Sequence, residues 1–206
     1  MFEMPDFNFN LDNDKKTNNK VKSIKTLDKH FYRRAKSEEA LFDELDNPFL
    51  KGYSYHVISF GDVDSLSFLK HIIKQQNIKK IIISTWVIAK EDIAQLEKWL
   101  DKGIIKEIDF FVGEIYKSRY PDNYIKLMAL MKKYKGRFVV FKNHSKVIAG
   151  YGDKYDFCVE SSANINTNPR CENTVVTLNK ELVDFYLDFF KNIKSFCKND
   201  WAINRK

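Results

Sequence analysis

Four short runs of aromatic and β-branched residues alternate with amphipathic stretches of helical period, and that alternation restricts the chain to few folds. Tyr53 to Phe60 reads as a strand, and Gly61-Asp62 turns it into a helix from about Asp64 to Gln76, with Leu66, Phe68, Leu69, Ile72 and Ile73 at helical spacing. Lys80 to Thr85 is a buried-strand run. Glu91 to Lys102 is a helix closed by Gly103, Glu107 to Val112 a third strand, and Asn123 to Tyr134 a helix ended by Gly136. Arg137 to Phe141 is the fourth strand. Strands separated by helices of this length predict βαβ crossovers and a largely parallel sheet covered on both faces. The rhythm then changes. Ser145 to Ala149 and Tyr155 to Glu160 are strand-like runs joined by Gly150 to Lys154, Thr174 to Leu178 is another strand, and Lys180 to Cys197 is a helix with one apolar face. The expected fold is α/β, with a mostly parallel central sheet, helices on both faces, and a C-terminal β-meander plus helix.

At 206 residues the chain suits one domain. The net charge of +7 is unevenly placed. From Lys15 to Lys36 nine basic residues face Asp28 alone, while residues 1–14 carry four acidic ones. The reading is a basic, flexible arm over 1–36 followed by a single domain over 37–206, with Ser37 capping a short helix that Asn47-Pro48 closes. Such an arm attracts phosphate backbones through counterion release or is simply solvated, and both readings stay open. Cys158, Cys171 and Cys197 have no metal-site spacing and leave one over, which excludes a disulfide framework and points to a reducing interior. No apolar run approaches the ~20 residues that span a bilayer, so a soluble, cytoplasmic protein without membrane partners is expected.

The chemistry-bearing residues gather late in the chain. His144 and Lys146 are two apart on a strand, so both project to one side. The hairpin return brings Ser162 and Asn164 beside them, and the next strand begins near Glu172. In open α/β sheets ligands gather at the carboxyl ends of strands. Ser59, Gly61, Asp62 and Trp86 occupy such ends as pocket-lining candidates. Lys117 and Arg119, interleaved with Tyr116 and Tyr120, form a candidate phosphate-contacting loop or an ordinary solvated one. His56 and His71 sit in apolar patterns and read as packed or partly buried histidines, not catalysts.

His144-Ser145-Lys146, Ser161-Ser162-Ala163-Asn164 and Cys171-Glu172-Asn173 together resemble the signature of the phospholipase D superfamily. The resemblance covers Asn143 to about Phe190 plus the βαβ order before it, and is closest to single-motif bacterial endonucleases. It implies a phospholipase D-like sandwich and a metal-independent, cofactor-free phosphodiesterase acting on nucleic acid, in particular DNA, in a phage, mobile-element or restriction setting. It also implies a homodimer, because one chain holds one motif. In that scheme His144 is the nucleophile, Glu172 orients it, and Lys146, Asn164 and Ser162 bind phosphate oxygens. Two positions depart from the pattern: Tyr151 stands where an Asp is expected, for which Asp153 or Asp156 could substitute, and Ser161 stands for a Gly. A module that holds phosphate without cleaving it is the alternative.

Overall fold

The computed structural model describes residues 29–166 and 170–196. Helix α1 (Lys29–Glu44) leads into β1 (Ser54–Phe60), α2 (Ser65–Gln75), β2 (Ile78–Thr85), α3 (Lys90–Asp101) and β3 (Ile105–Gly113). The short α4 (Tyr116–Arg119) and α5 (Pro121–Lys133) precede β4 (Phe138–Phe141), after which come β5 (Val147–Gly152), β6 (Asp156–Ser161), β7 (Cys171–Thr177) and α6 (Lys180–Lys191). All seven strands form one sheet in the order β1-β7-β6-β5-β2-β3-β4.

The expected α/β class stands, with a refinement of the sheet. Only β2 with β3 and β3 with β4 pair in parallel, and the other four pairings are antiparallel. Yet β1, β2, β3, β4 and β6 all run the same way, because β5 and β7 are threaded between them in reverse. The βα rhythm reports strand direction correctly; it carries no information on which strands become neighbours. In consequence, the carboxyl ends of five strands and the amino ends of β5 and β7 share one edge of the sheet.

Local chemistry explains the elements. Asp64 caps α2, its side chain accepting from the Leu66 and Ser67 amides at 2.9 and 3.2 Å while Ser67 Oγ accepts from the Asp64 amide. Pro121 opens α5 at a position where the missing N–H costs nothing. Asn179 caps α6 through the Leu182 amide at 2.9 Å. Helices cover both faces. Leu41, Leu69, Leu96 and Leu127 from α1, α2, α3 and α5 pack with Ile81, Ile83 and Phe110 on one side. On the other, Phe190 of α6 packs with Ile82, Phe111, Val139, Ala149 and Cys158. Alternate residues of β2 and β3 thus enter different cores, which is why those strands read as unbroken apolar runs.

Three expectations shift. The helix read as opening at Ser37 begins at Lys29, so the boundary between arm and domain drawn at residue 36 falls inside α1; residues 1–28 and Cys197 lie outside the described residues. Helix α6 ends at Lys191, six residues before the expected Cys197, and the chain then runs along β4, where the Phe196 amide donates to Val140 O at 2.8 Å. Of the two histidines read as packed or partly buried, His71 is buried between Phe42 and Phe49 with its Nε2 3.1 Å from Asp46 O, but His56 is exposed on β1.

Candidate active site

The shared edge of the sheet brings the signature residues together. Asn143, just before β5, is the anchor. Its buried Nδ2 donates to Ser84 Oγ at 2.9 Å and to the carbonyls of Thr85 and Phe111 at 3.3 and 3.4 Å, and its Oδ1 accepts from the Ser145 amide and hydroxyl at 3.0 and 2.7 Å. One side chain thereby ties the lead-in of β5 to the ends of β2 and β3 and fixes the backbone from which His144 and Lys146 project. The sequence signal for it is an Asn two residues before a Ser, an Asx-turn pattern. Only the fold shows what its amide reaches.

His144 is exposed and Lys146 is buried, with 8% of its surface accessible. Lys146 Nζ donates to His144 O at 2.7 Å and lies 3.0 Å from Nδ1 of the same residue. Burial holds the Lys146 pKa below the ordinary lysine value, while the nearby Glu172 carboxylate works in the opposite direction. Glu172, half-buried on β7, accepts the Ser162 hydroxyl. The implied bond from Glu172 to the His144 ring is replaced by this arrangement: the carboxylate holds Ser162 and acts on Lys146 through space, and Lys146 sits on the ring nitrogen.

Asn164 reaches the same edge because the segment after β6 is stitched to the end of β2. The Ala89 amide donates to Ile165 O at 2.9 Å, the Ile165 amide to Thr85 Oγ1 at 3.3 Å, and Ser65 Oγ to Ala163 O at 2.7 Å. Asn164 Oδ1 accepts from the Trp86 amide at 3.2 Å. A backbone N–H can face only the carbonyl side of the amide, so the Asn164 NH2 is the group presented elsewhere. Lys117 and Arg119 stand exposed on α4, after β3 at the same edge, with Lys117 over the Tyr124 ring.

Trp86 is a stronger participant than its place in the sequence suggests. Its ring lies 5.4 Å from the His144 ring, tilted by 57°. The indole occupies room left by Gly113: a Cβ there would stand 2.2 Å from Trp86 Cδ1 and 3.0 Å from Asn143 O. Gly113→Ala is expected to destabilise the fold by about 1–3 kcal/mol through overpacking, and to displace the indole from His144. Urea denaturation checks this in a double-mutant cycle with Trp86→Leu. If the cost of Gly113→Ala is undiminished when Trp86→Leu is already present, the indole is not what Gly113 accommodates.

No family model matches the sequence, and no curated protein matches it. The fold is nevertheless similar to that of a solved phospholipase D family member. Nuc from Salmonella typhimurium, a phospholipase D family member, superposes on 68% of this chain and 93% of its own, with 16% identity and a TM-score of 0.50. The polyphosphate kinase of Porphyromonas gingivalis matches 68% of this chain but only 25% of its own length, with 17% identity and the same score. Identities this low establish the fold alone.

Both departures from the superfamily pattern have structural readings. Tyr151 lies at the far end of β5, opposite the His144 edge, and donates to Asp184 of α6 at 2.5 Å. It pins a helix to the sheet. Asp153 is at that far end too, 4.0 Å from Lys79, and Asp156 pairs with Tyr151 in the hairpin, so neither reaches His144. The Ser161 hydroxyl bonds Thr174 Oγ1 at 2.7 Å and accepts the Ala163 amide at 3.0 Å, shaping the turn that presents Ser162 and Asn164. Cys158 is buried, where desolvation pushes its thiol far up, and Cys171 is exposed.

Proposed function

We propose that the chain is a phosphodiesterase acting on nucleic acid, in particular DNA, through a phosphohistidine at His144, with an active site completed by two subunits. The observation that carries this reading is the buried Lys146 ammonium against the exposed His144 ring, with Glu172 nearby and the Asn164 amide at the same edge. A phosphate oxygen competes for the Lys146 N–H groups that otherwise reach His144, so substrate binding itself frees the imidazole. A neutral ring nitrogen then attacks phosphorus, forming a P–N bond as the P–O bond to the leaving oxygen breaks. Lys146, Asn164 and Ser162 stabilise the charge on the non-bridging oxygens. The second subunit's imidazolium protonates the leaving oxygen; water then attacks phosphorus, gives up its proton to that same imidazole, and releases His144. Lys117 and Arg119 extend the phosphate track from α4. The reaction so written needs no metal.

The test is cleavage of single- and double-stranded DNA in EDTA by the intact protein and by His144→Ala. Cleavage by the former alone, with loss of at least about 10³-fold in the variant, is expected. Equal cleavage by both removes His144 as nucleophile. A second reading, a module that holds phosphate without turnover, is favoured by one observation: Glu172 is engaged by Ser162 and not by the His144 ring. Salt-dependent DNA retention without product by the intact protein selects it.

A further inference from the structure

Asn164 owes its place to two helix starts, one on each side of it. Ser65, the first residue of α2, donates through Oγ to Ala163 O at 2.7 Å, and Ala89, which precedes α3, donates its amide to Ile165 O at 2.9 Å. Ala163 and Ile165 are both buried, and Asn164 between them is half-buried. A shift of either helix start is therefore passed to the Asn164 amide. Neither start is loose. Asp64, next to Ser65, caps α2 with one carboxylate oxygen, and Asp92 lies in the first turn of α3, whose N-cap Ala89 offers no side chain of its own. Both carboxylates turn to the same nitrogen, Arg34 Nη2 of α1, 2.9 Å from Asp92 and 3.3 Å from Asp64. Arg34 Nε is held by Glu38 one turn later, and Glu38 in turn accepts from Ser67 Oγ of α2 at 3.0 Å.

A cluster of buried charges is a poor way to gain stability. Apolar side chains of similar volume often hold helices together as well or better, and what an ion pair adds is a fixed geometry. Here Asp64 and Asp92 each keep one buried oxygen without a hydrogen bond, a cost that apolar packing would not incur. The guanidinium supplies the geometry. Its planar fork joins the carboxylate beside Ser65 to the one in the turn that follows Ala89. We infer that Arg34 is a positioning residue for Asn164, setting the spacing of the two helix starts between which residues 163–165 are suspended. What Asn164 then does, binding a phosphate oxygen in the transition state, rests on the function proposed above. Helix α1 thereby takes part in building the catalytic edge, although none of its residues belongs to the signature.

Two substitutions break this relay at different points. Arg34→Lys keeps the charge but not the fork, and Ser65→Ala keeps the cluster but not the bond to Ala163. Each should lower kcat on DNA by about tenfold with KM changed by less than about threefold, the signature of a misplaced transition-state donor. In an Asn164→Ala background each effect should shrink to below about twofold, because the group being positioned is gone. A loss of folded protein scales both backgrounds alike, so equal factors in the two overturn the inference. Amide hydrogen exchange reads the same relay without turnover. Arg34→Lys should speed exchange by at least about tenfold at Trp86, which donates to Asn164 Oδ1, and at Ala89 and Ile165, while Phe110 in the core of β3 is unchanged. An equal acceleration at Phe110 makes Arg34 purely structural. Lys133→Met, which breaks an exposed ion pair with Glu97 and Asp101 toward the far end of α3, should move neither readout. The two proposals fail separately. Faster exchange confined to the three amides in a chain that cleaves nothing supports Arg34 as the positioning residue while removing the enzyme reading, and turnover and exchange both unaltered by Arg34→Lys remove the relay while leaving cleavage.

Discussion

Replacing Lys146 with Met is expected to lower turnover of a phosphodiester by about 10²–10³-fold, the scale of losing one preorganised charge-stabilising donor, while leaving the fold as stable or slightly more so. The two halves of this expectation have one cause. The ammonium is 8% exposed, and its pKa is held down by burial, so keeping it charged costs the folded state stability. A base whose folded pKa is depressed adds stability as pH rises from that value toward the ordinary lysine value near 10.5, and withholds it below. At neutral pH the intact protein therefore carries the penalty and the Met variant does not. Replacing a buried charge by an apolar side chain of similar length is often neutral or stabilising. Urea denaturation at pH 7 and pH 10 alongside kcat and KM measurements checks the pair of outcomes: the intact protein should gain on the variant as pH rises. Turnover within threefold of the intact protein would strip Lys146 of its role. A fall in activity matched by a fall in folded protein would make that role structural.

How far the sequence reveals this arrangement depends on the range of the interaction. Apolar periodicity is local, and it locates β1, β2, β3 and α2, α3, α5 to within a few residues. The hairpin of β5 and β6 is equally local. Strand order is not, because placing β5 between β2 and β6 depends on partners such as Ser84 and Val147, 63 positions apart. The signature residues are legible as spacing; their bonds are not. The resemblance assigns Glu172 to His144, but the turn at Ser161 and Ser162 brings a hydroxyl to it first. Gly113 looks like the end of a strand, and its service to Trp86 emerges only when β2 and β3 lie side by side. The basic run differs from its sequence reading in one respect. Arg34 counts there as a solvent-facing cation, whereas its guanidinium is engaged inside the domain by carboxylates 30 and 58 residues away.

That buried cluster carries the largest expected loss of stability. Arg34 Nη2 lies 2.9 Å from Asp92 and 3.3 Å from Asp64, and Nε lies 3.3 Å from Glu38, which also holds Lys70. One cation of α1 thus joins the cap of α2 to the first turn of α3. Asp64 and Asp92 are almost wholly buried, and each keeps one oxygen without a hydrogen bond. Burial raises both carboxyl pKa values, and for Asp92 the charge of Asp64 adds to the effect; Arg34 pulls both down. Arg34→Leu leaves two buried carboxylates facing each other without their cation, at an expected cost of about 3–5 kcal/mol at pH 8. The sign of the pH dependence follows from those shifts. A carboxyl whose folded pKa is raised takes up its proton on the folded protein first, so stability lost above that pKa is recovered as pH falls toward the unfolded value near 3.8. Removing Arg34 raises both carboxyls further, and the deficit of the variant should therefore shrink between pH 8 and pH 5. Urea denaturation of both proteins at the two pH values measures it. A deficit that is equal at both, or larger at pH 5, would mean that Arg34 stabilises the domain by packing and not by holding Asp64 and Asp92 charged.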